Sequence, residues 1–144
     1  MRNYLLNGHT EIFGAEIGTL IYGAGKGILR SFQDFDLCAE PYMKHPKNTI
    51  YYFGDLDYEG IGIYENLAEK FRSRWKIIPF VPAYQAMLGK AEQINELPET
   101  KEHQNRNIST QFFSCFDEIM VKKMEAVWFP DILERKSAMK IVGN

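Results

Sequence analysis

The sequence predicts an α/β domain, a parallel sheet flanked by helices with a helical C-terminal portion. Three observations carry that prediction. In the first half, short apolar runs rich in β-branched and aromatic residues alternate with segments of helical spacing. One of those runs, Thr49 to Phe53 ("TIYYF"), is continuously apolar, as suits a parallel strand covered on both faces. In the second half the strand-like runs stop and helical patterns follow one another.

Taken in order, "IGTLIYG" (Ile17 to Gly23) reads as the first buried strand and leads into the glycine-rich "GAGKG". "ILRSFQDF" follows with helical spacing through Ile28, Leu29 and Phe32. A polar, proline-containing connection leads to the second strand, Thr49 to Phe53. Beyond an acidic turn, Ile61, Tyr64, Leu67, Ala68 and Phe71 recur on one helical face. "WKIIPFVP" (Trp75 to Pro82) reads as a third strand, where Pro79 points to an edge or a bulge. Strand–helix–strand–helix–strand implies parallel pairing with right-handed crossovers. Then come a helix in "AYQAMLGKAEQINEL" and a polar loop, "PETKEHQNRN". A long helix in "STQFFSCFDEIMVKKMEAVWF" has Ser109 or Thr110 as its cap, and a last helix is opened by Pro130.

A length of 144 residues fits one domain, 1–144, with a real core. Ten Phe and eight Tyr put much of the packing on rings. The net charge of −2 excludes a global basic field, so any DNA contact must come from local patches or partner segments. Cys38 and Cys115 show no metal or redox spacing and read as buried thiols of a reducing cytosol. With no signal peptide and no apolar run near the roughly 20 residues that span a bilayer, the expected setting is soluble, cytoplasmic and free of membrane.

The glycine loop sits between a strand and a helix, where phosphate-binding loops sit. A Walker A loop would require glycine at Leu20 and Ser or Thr at Gly27; a dinucleotide fingerprint would require glycine at Ile28. ATP and NAD readings therefore fall away. Two readings stay open: a tight turn in which Gly23, Gly25 and Gly27 relieve crowding, or a loop whose amides at Gly25 and Gly27, with Lys26, approach a nucleic-acid phosphate.

The acidic turn, "GDLDYEG", is more specific. In extended chain Asp55 and Asp57 point to one side and Leu56 to the other, into the protein. The place is the carboxyl end of a strand, where ligands bind in parallel sheets. Two carboxylates close together repel, and a hard cation such as Mg²⁺ (or Mn²⁺) resolves the repulsion while keeping waters for a phosphate ligand. Gly60 lets the chain turn closely into the helix. The alternative is that Asp57 caps that helix with Glu59 in its first turn, a contribution of about 1 kcal/mol; this leaves Asp55 without a role.

"YYFGDLDYEGIGIYENL" resembles the Asp-x-Asp strand–turn–helix of Toprim domains. Its Gly-Asp-x-Asp-x-x-Gly-x-x-Ile form is closest to the topoisomerase VI A-subunit type, and closer still to the C-terminal domain of JetD, the nuclease subunit of Wadjet plasmid-defence systems. "LIYGAGKGI" fits the glycine-rich turn of that branch, and the likeness covers Ile17 to about Val81. It implies a Toprim-like fold and Mg²⁺-dependent cleavage of DNA phosphodiesters by water. Asp55 and Asp57 would be catalytic residues and metal ligands, in a defence complex with other subunits or in a homodimer. The family's catalytic glutamate, which ends an earlier strand, has no match: Glu11 and Glu16 follow no apolar strand. The expectation is a domain lacking its first strand and that glutamate, which lie upstream of Met1.

Two other functions stand beside the nuclease: a catalytically inactive Toprim-like module that binds DNA or a partner, and an Asp-x-Asp phosphohydrolase resembling haloacid-dehalogenase-like enzymes. The latter's lysine and later acidic motifs are not evident. His9, His45 and His103 read as surface residues, and Lys70, Arg72, Arg74 and Lys76 as a solvated helix end. Phe112, Phe113, Phe116, Ile119 and Met120 read as core. Tyr58 is expected to stay out of the deep core if the turn lines a cleft.

Overall fold

The computed structural model describes residues 6–93 and 103–128. Its centre is a strand–helix–strand unit: β3 (Thr49–Tyr52), the helix Tyr58–Phe71, here α3, and β4 (Lys76–Pro79). β3 and β4 pair in parallel, Thr49 opposite Lys76 and Tyr52 opposite Pro79. The backbone N–H of Phe80 extends the ladder to the Tyr52 carbonyl at 2.7 Å. Pro79 lies in β4 and is fully buried.

α3 forms where the spacing places it. Ile61, Tyr64, Leu67 and Ala68 are buried along one face, and Phe71 packs partly against the same core. Each large side chain withdrawn from water contributes about 1.5–3 kcal/mol. The core is built on rings, as the aromatic content predicts. Tyr64 meets Phe112 at 5.6 Å between centroids, Tyr84 meets Phe112 at 5.3 Å and Phe116 at 5.6 Å, and Phe32 stacks on Phe35 at 4.7 Å.

The sheet differs from the predicted one. Ile17 to Gly23 joins no strand ladder among the described residues; Leu20, Ile21 and Tyr22 are exposed. The chain instead makes a small antiparallel hairpin just before it, β1 (Glu11–Ile12) with β2 (Ala15–Glu16), turning at Phe13 and Gly14 with φ of 50° and 78°. A hydroxyl contact of 2.9 Å then ties Thr19 to Tyr42. An apolar run becomes a strand only by pairing with a neighbour, and only two strands of the expected three-stranded parallel sheet pair here.

The predicted helix at 28–35 is built of short pieces: α1 (Ile28–Ser31), a 3-10 turn over Phe32–Asp34, and α2 (Phe35–Cys38). α4 runs Val81–Ala91, starting earlier than expected because Pro82 fits a helical first turn. The long helix expected from Ser109 or Thr110 is broken. A 3-10 turn covers Phe113–Cys115, Phe116 is extended, and α5 (Glu118–Trp128) begins after it. Asp117 is the actual cap, its Oδ1 accepting the Met120 N–H at 2.8 Å. The shift turns Ile119 outward, while Phe112, Phe113, Phe116 and Met120 are buried as expected. The helix expected from Pro130 lies outside the described residues.

Both cysteines are free, but they are exposed, contrary to the expectation of buried thiols. Arg72 pairs locally with Glu69, as at a solvated helix end, whereas Lys70 donates to the Leu29 carbonyl and Arg74 pairs with Asp36, tying this end of α3 to the α1–α2 segment. Among the described residues no helix is long and apolar enough to cross a membrane.

Candidate functional site

The acidic turn leaves the carboxyl end of β3 and enters α3 at once. Burial alternates through it: Asp55 is exposed, Leu56 buried, Asp57 half-buried. The expected division of Leu56 inward and the carboxylates away from it therefore appears, although residues 53–57 form no strand. Asp57 is the N-cap of α3. Its backbone is extended (φ −140°, ψ 176°), and its Oδ1 accepts the Gly60 N–H at 2.7 Å. Glu59 occupies the first turn, favourable against the helix dipole.

The cap accounts for one oxygen of Asp57. The other, Oδ2, accepts from Gln104 Nε2 at 2.8 Å, and the Gln104 Oε1 is buried with no hydrogen-bond partner among the described residues. Gln104 arrives from the polar loop, far away in sequence. Glu65 of α3 fixes the next stretch of chain: its carboxylate accepts from the Ser109 N–H (2.8 Å), the Ser109 hydroxyl (2.7 Å) and the Phe112 N–H (3.4 Å). Arg106 lies over the Tyr58 ring, 5.8 Å from its centroid. Tyr58 itself is buried, against the expectation that a turn lining a cleft leaves it out of the deep core; on the Tyr58 side the turn is packed against the protein and lines no cleft.

Two tyrosines brace the turn from beneath. Tyr52 donates to the Gly60 carbonyl at 2.9 Å, and the Tyr84 hydroxyl accepts the Gly54 N–H at 3.0 Å. Burial, then the charges of Asp55 and Asp57, push the Tyr52 phenol up to about 12. Both carboxylates thus act on one hydroxyl. Burial also pushes Tyr84 up, with Asp55 a lesser contributor.

Gly60 is required here on steric grounds. A Cβ at that position would run into the Asp55 carbonyl oxygen and sit 3.0 Å from its carbon. The turn closes back on the helix so tightly that only glycine fits.

The glycine loop comes to the same place. Gly25–Gly27 form a 3-10 turn running into α1, and Lys26 Nζ lies 3.5 Å from Glu59 Oε2. Gly25 has φ of +64° and needs glycine for its backbone. Gly27 does not: a Cβ there would meet nothing within 4 Å. The tight-turn reading therefore explains Gly25 and leaves Gly27 open.

Among the described residues no three His, Cys, Asp or Glu gather as a metal site. Glu11 and Glu16 face each other across the hairpin. His9, His45 and His103 are exposed. Tyr84 and Gln104 were not legible as site residues, since each reaches the turn from another element and carries no motif of its own; Tyr52 and Glu65 lie within the motif stretch, but their partners, the Gly60 carbonyl and Ser109 with Phe112, appear only in the fold. Comparison with models of known families, with curated proteins and with solved structures finds no match to this chain.

Proposed function

We propose that Asp55 and Asp57 hold a divalent cation, Mg²⁺ or Mn²⁺, and that the chain acts on DNA phosphodiesters as a Toprim-type nuclease domain of the JetD kind. The observation that carries this reading is the meeting of two separate loops. Lys26 of the glycine turn lies against Glu59, two residues after Asp57 in the first turn of α3, which brings a cation to the helix start that the carboxylates precede. That is the charge pattern a metal-bound phosphate needs. The Lys26–Glu59 pair is exposed, and such pairs contribute about 0–1 kcal/mol, so Lys26 turns to a phosphate at little cost.

The residues present fit a hard cation in part. Asp55 is exposed, and Asp57 keeps a cap bond through one oxygen while the other faces the polar loop. A bound cation would supply charge stabilisation at the phosphoryl oxygens and activation of water. The protein's own part is to orient the ligands: Gly60 and Tyr84 fix the turn, and Lys26 with the amides of Gly25 and Gly27 steadies the phosphate.

A second reading, an inactive Toprim-like module that binds DNA or a partner, is favoured by one specific observation. No third acidic side chain joins the pair among the described residues. Mn²⁺ titration followed by NMR and calorimetry, together with a plasmid-nicking assay, separates the two. Asp55→Ala should abolish cation binding with little loss of stability. Asp57→Asn should also weaken binding while keeping the cap, because Asn caps about as well as Asp. The nuclease reading expects cation binding together with nicking that Asp55→Ala abolishes; the inactive-module reading expects cation binding without nicking. Absence of cation binding in the unaltered chain would remove the metal reading, and robust nicking abolished by Asp57→Ala would remove the inactive-module reading.

A further inference from the structure

Positive charge collects at the amino end of the parallel pair. Lys44, Lys47, Arg74 and Lys76 are all exposed there. Thr49 stands opposite Lys76 in the ladder, so Lys47 and Arg74 each lie two residues before the first paired position. Lys44 and Arg74 converge on one residue: Lys44 Nζ donates to the Asp36 carbonyl at 2.8 Å, and Arg74 Nη1 lies 2.6 Å from Asp36 Oδ2. The Arg74 guanidinium also lies over the Trp75 ring, 5.9 Å from its centroid. The turn that carries the first two lysines is tied down by its own hydrogen bonds. Asn48 Nδ2 donates to the Tyr42 and Met43 carbonyls at 2.8 and 3.0 Å, and the Asn48 N–H to the His45 carbonyl at 3.0 Å. The Lys47 N–H is taken up by His45 Nδ1 at 3.2 Å. Asp36 is the acid within the group; Glu69 pairs with Arg72, and Asp34 and Glu40 are exposed on the neighbouring segment. Among the described residues no acid pairs with Lys47 or Lys76.

We infer that this patch is a docking surface for the sugar–phosphate backbone of a nucleic acid. It lies at the other end of β3 from the acidic turn, roughly 13 Å away by strand rise, and does not depend on a cation being held there. A chain with a net charge of −2 meets a polyanion only where it concentrates positive charge locally. Asp36 anchors Lys44 and Arg74, and Lys47 and Lys76 add charge that no acid cancels. Phosphates neutralised by such groups release their counterions, which favours binding without any reading of the bases. An anionic lipid surface suits the patch less well, because lipid binding draws on apolar side chains that enter the interface. Along 36–48 and 72–76 the large exposed apolar side chains are Leu37 and Tyr42, and the Tyr42 hydroxyl is tied to Thr19 at 2.9 Å.

The probe is a fluorescein-labelled DNA duplex, added to the full chain in EDTA so that cation binding plays no part. Anisotropy should show binding at low salt, with log K falling against log salt at a slope of about −3, as three to four neutralised phosphates require. Lys47→Gln and Lys76→Gln should each reduce that slope by about one and weaken binding several-fold, equally on duplexes of unrelated sequence. Both lysines are exposed and pair with no acid among the described residues, so these variants should melt with the unaltered chain. Lys122→Gln makes the same change of charge on α5 and should leave affinity and slope as they were. No binding by the unaltered chain at low salt would overturn the inference. So would a slope untouched by Lys47→Gln and Lys76→Gln, or an equal loss in Lys122→Gln. Capture by phosphatidylserine vesicles or by polyglutamate, with the duplex left unbound, would overturn it in favour of a lipid surface or an acidic protein. Failure of Mn²⁺ to bind at the acidic turn would leave this result standing.

Discussion

Replacing Gly60 by alanine tests whether the acidic turn is built as described. The added methyl carbon collides with the Asp55 carbonyl oxygen and lies 3.0 Å from the Asp55 carbonyl carbon and 3.3 Å from its nitrogen. All three are backbone atoms, so no side-chain rotation relieves the contact; the turn or the helix start must move. Forced packing of this sort costs about 1–3 kcal/mol, and a rigid backbone neighbour places this case at the upper end. Alanine's advantage over glycine in a helix offsets at most about 1 kcal/mol, leaving a net loss of about 2 kcal/mol. For a chain of this size that lowers Tm by roughly 5–10 °C. Gly62, two residues on in the same helix, is the control: a Cβ there meets nothing within 4 Å, so Gly62→Ala should stabilise by up to about 1 kcal/mol. Thermal and urea unfolding of both variants reads the difference, and Mn²⁺ titration reads whether displacing Asp55 weakens the site. A Gly60→Ala variant as stable as the unaltered chain, with cation binding intact, would refute the close approach and the geometry built on it.

The remaining predictions concern the groups that brace the turn. Tyr52 holds its proton in the folded chain up to about 12, against an ordinary value of 10.0. Its stabilising contribution is therefore complete below pH 10 and lost as the pH rises toward 12, because the unfolded chain releases that proton first. Unfolding followed by tyrosinate absorbance should show stability falling through that window, and Tyr52→Phe should flatten the fall; an unchanged slope would count against the burial of this phenol beside two carboxylates. Glu65→Ala removes the acceptor of three hydrogen bonds to Ser109 and Phe112 and should cost about 1.5–3 kcal/mol, the range for bonds to a charged group. Hydrogen exchange should then speed up at the Ser109 and Phe112 amides before it does so in α3, and uniform exchange across both would contradict the pinning role.

The strand–turn–helix from Thr49 to Phe71 was legible in the sequence because its causes are local. Apolar β-branched residues favour extended chain, Asp57 satisfies a free N–H at a helix start, and Ile61, Tyr64, Leu67 and Ala68 fall on one face by the period of the helix. The same local logic identified the ring-rich core and a strand expected over Trp75 to Pro82, of which Lys76–Pro79 forms one. It failed wherever pairing or packing between distant segments decides the outcome. Ile17 to Gly23 carries a strand's composition, yet composition does not supply a neighbouring edge: Ile17 only closes the hairpin with an N–H to the Thr10 carbonyl, and the rest of the segment joins no ladder among the described residues. Asp117 rather than Ser109 begins α5, because Phe116 adopts extended backbone while Ser109 is drawn to Glu65. The sequence by itself placed two carboxylates at the carboxyl end of a strand and offered one of them as a cap of the following helix, which the structure shows Asp57 to be. Only the tertiary structure brought Lys26 to Glu59 and Gln104 to Asp57, since those contacts join residues far apart along the chain and depend on how α3 packs against two loops that share no motif with it.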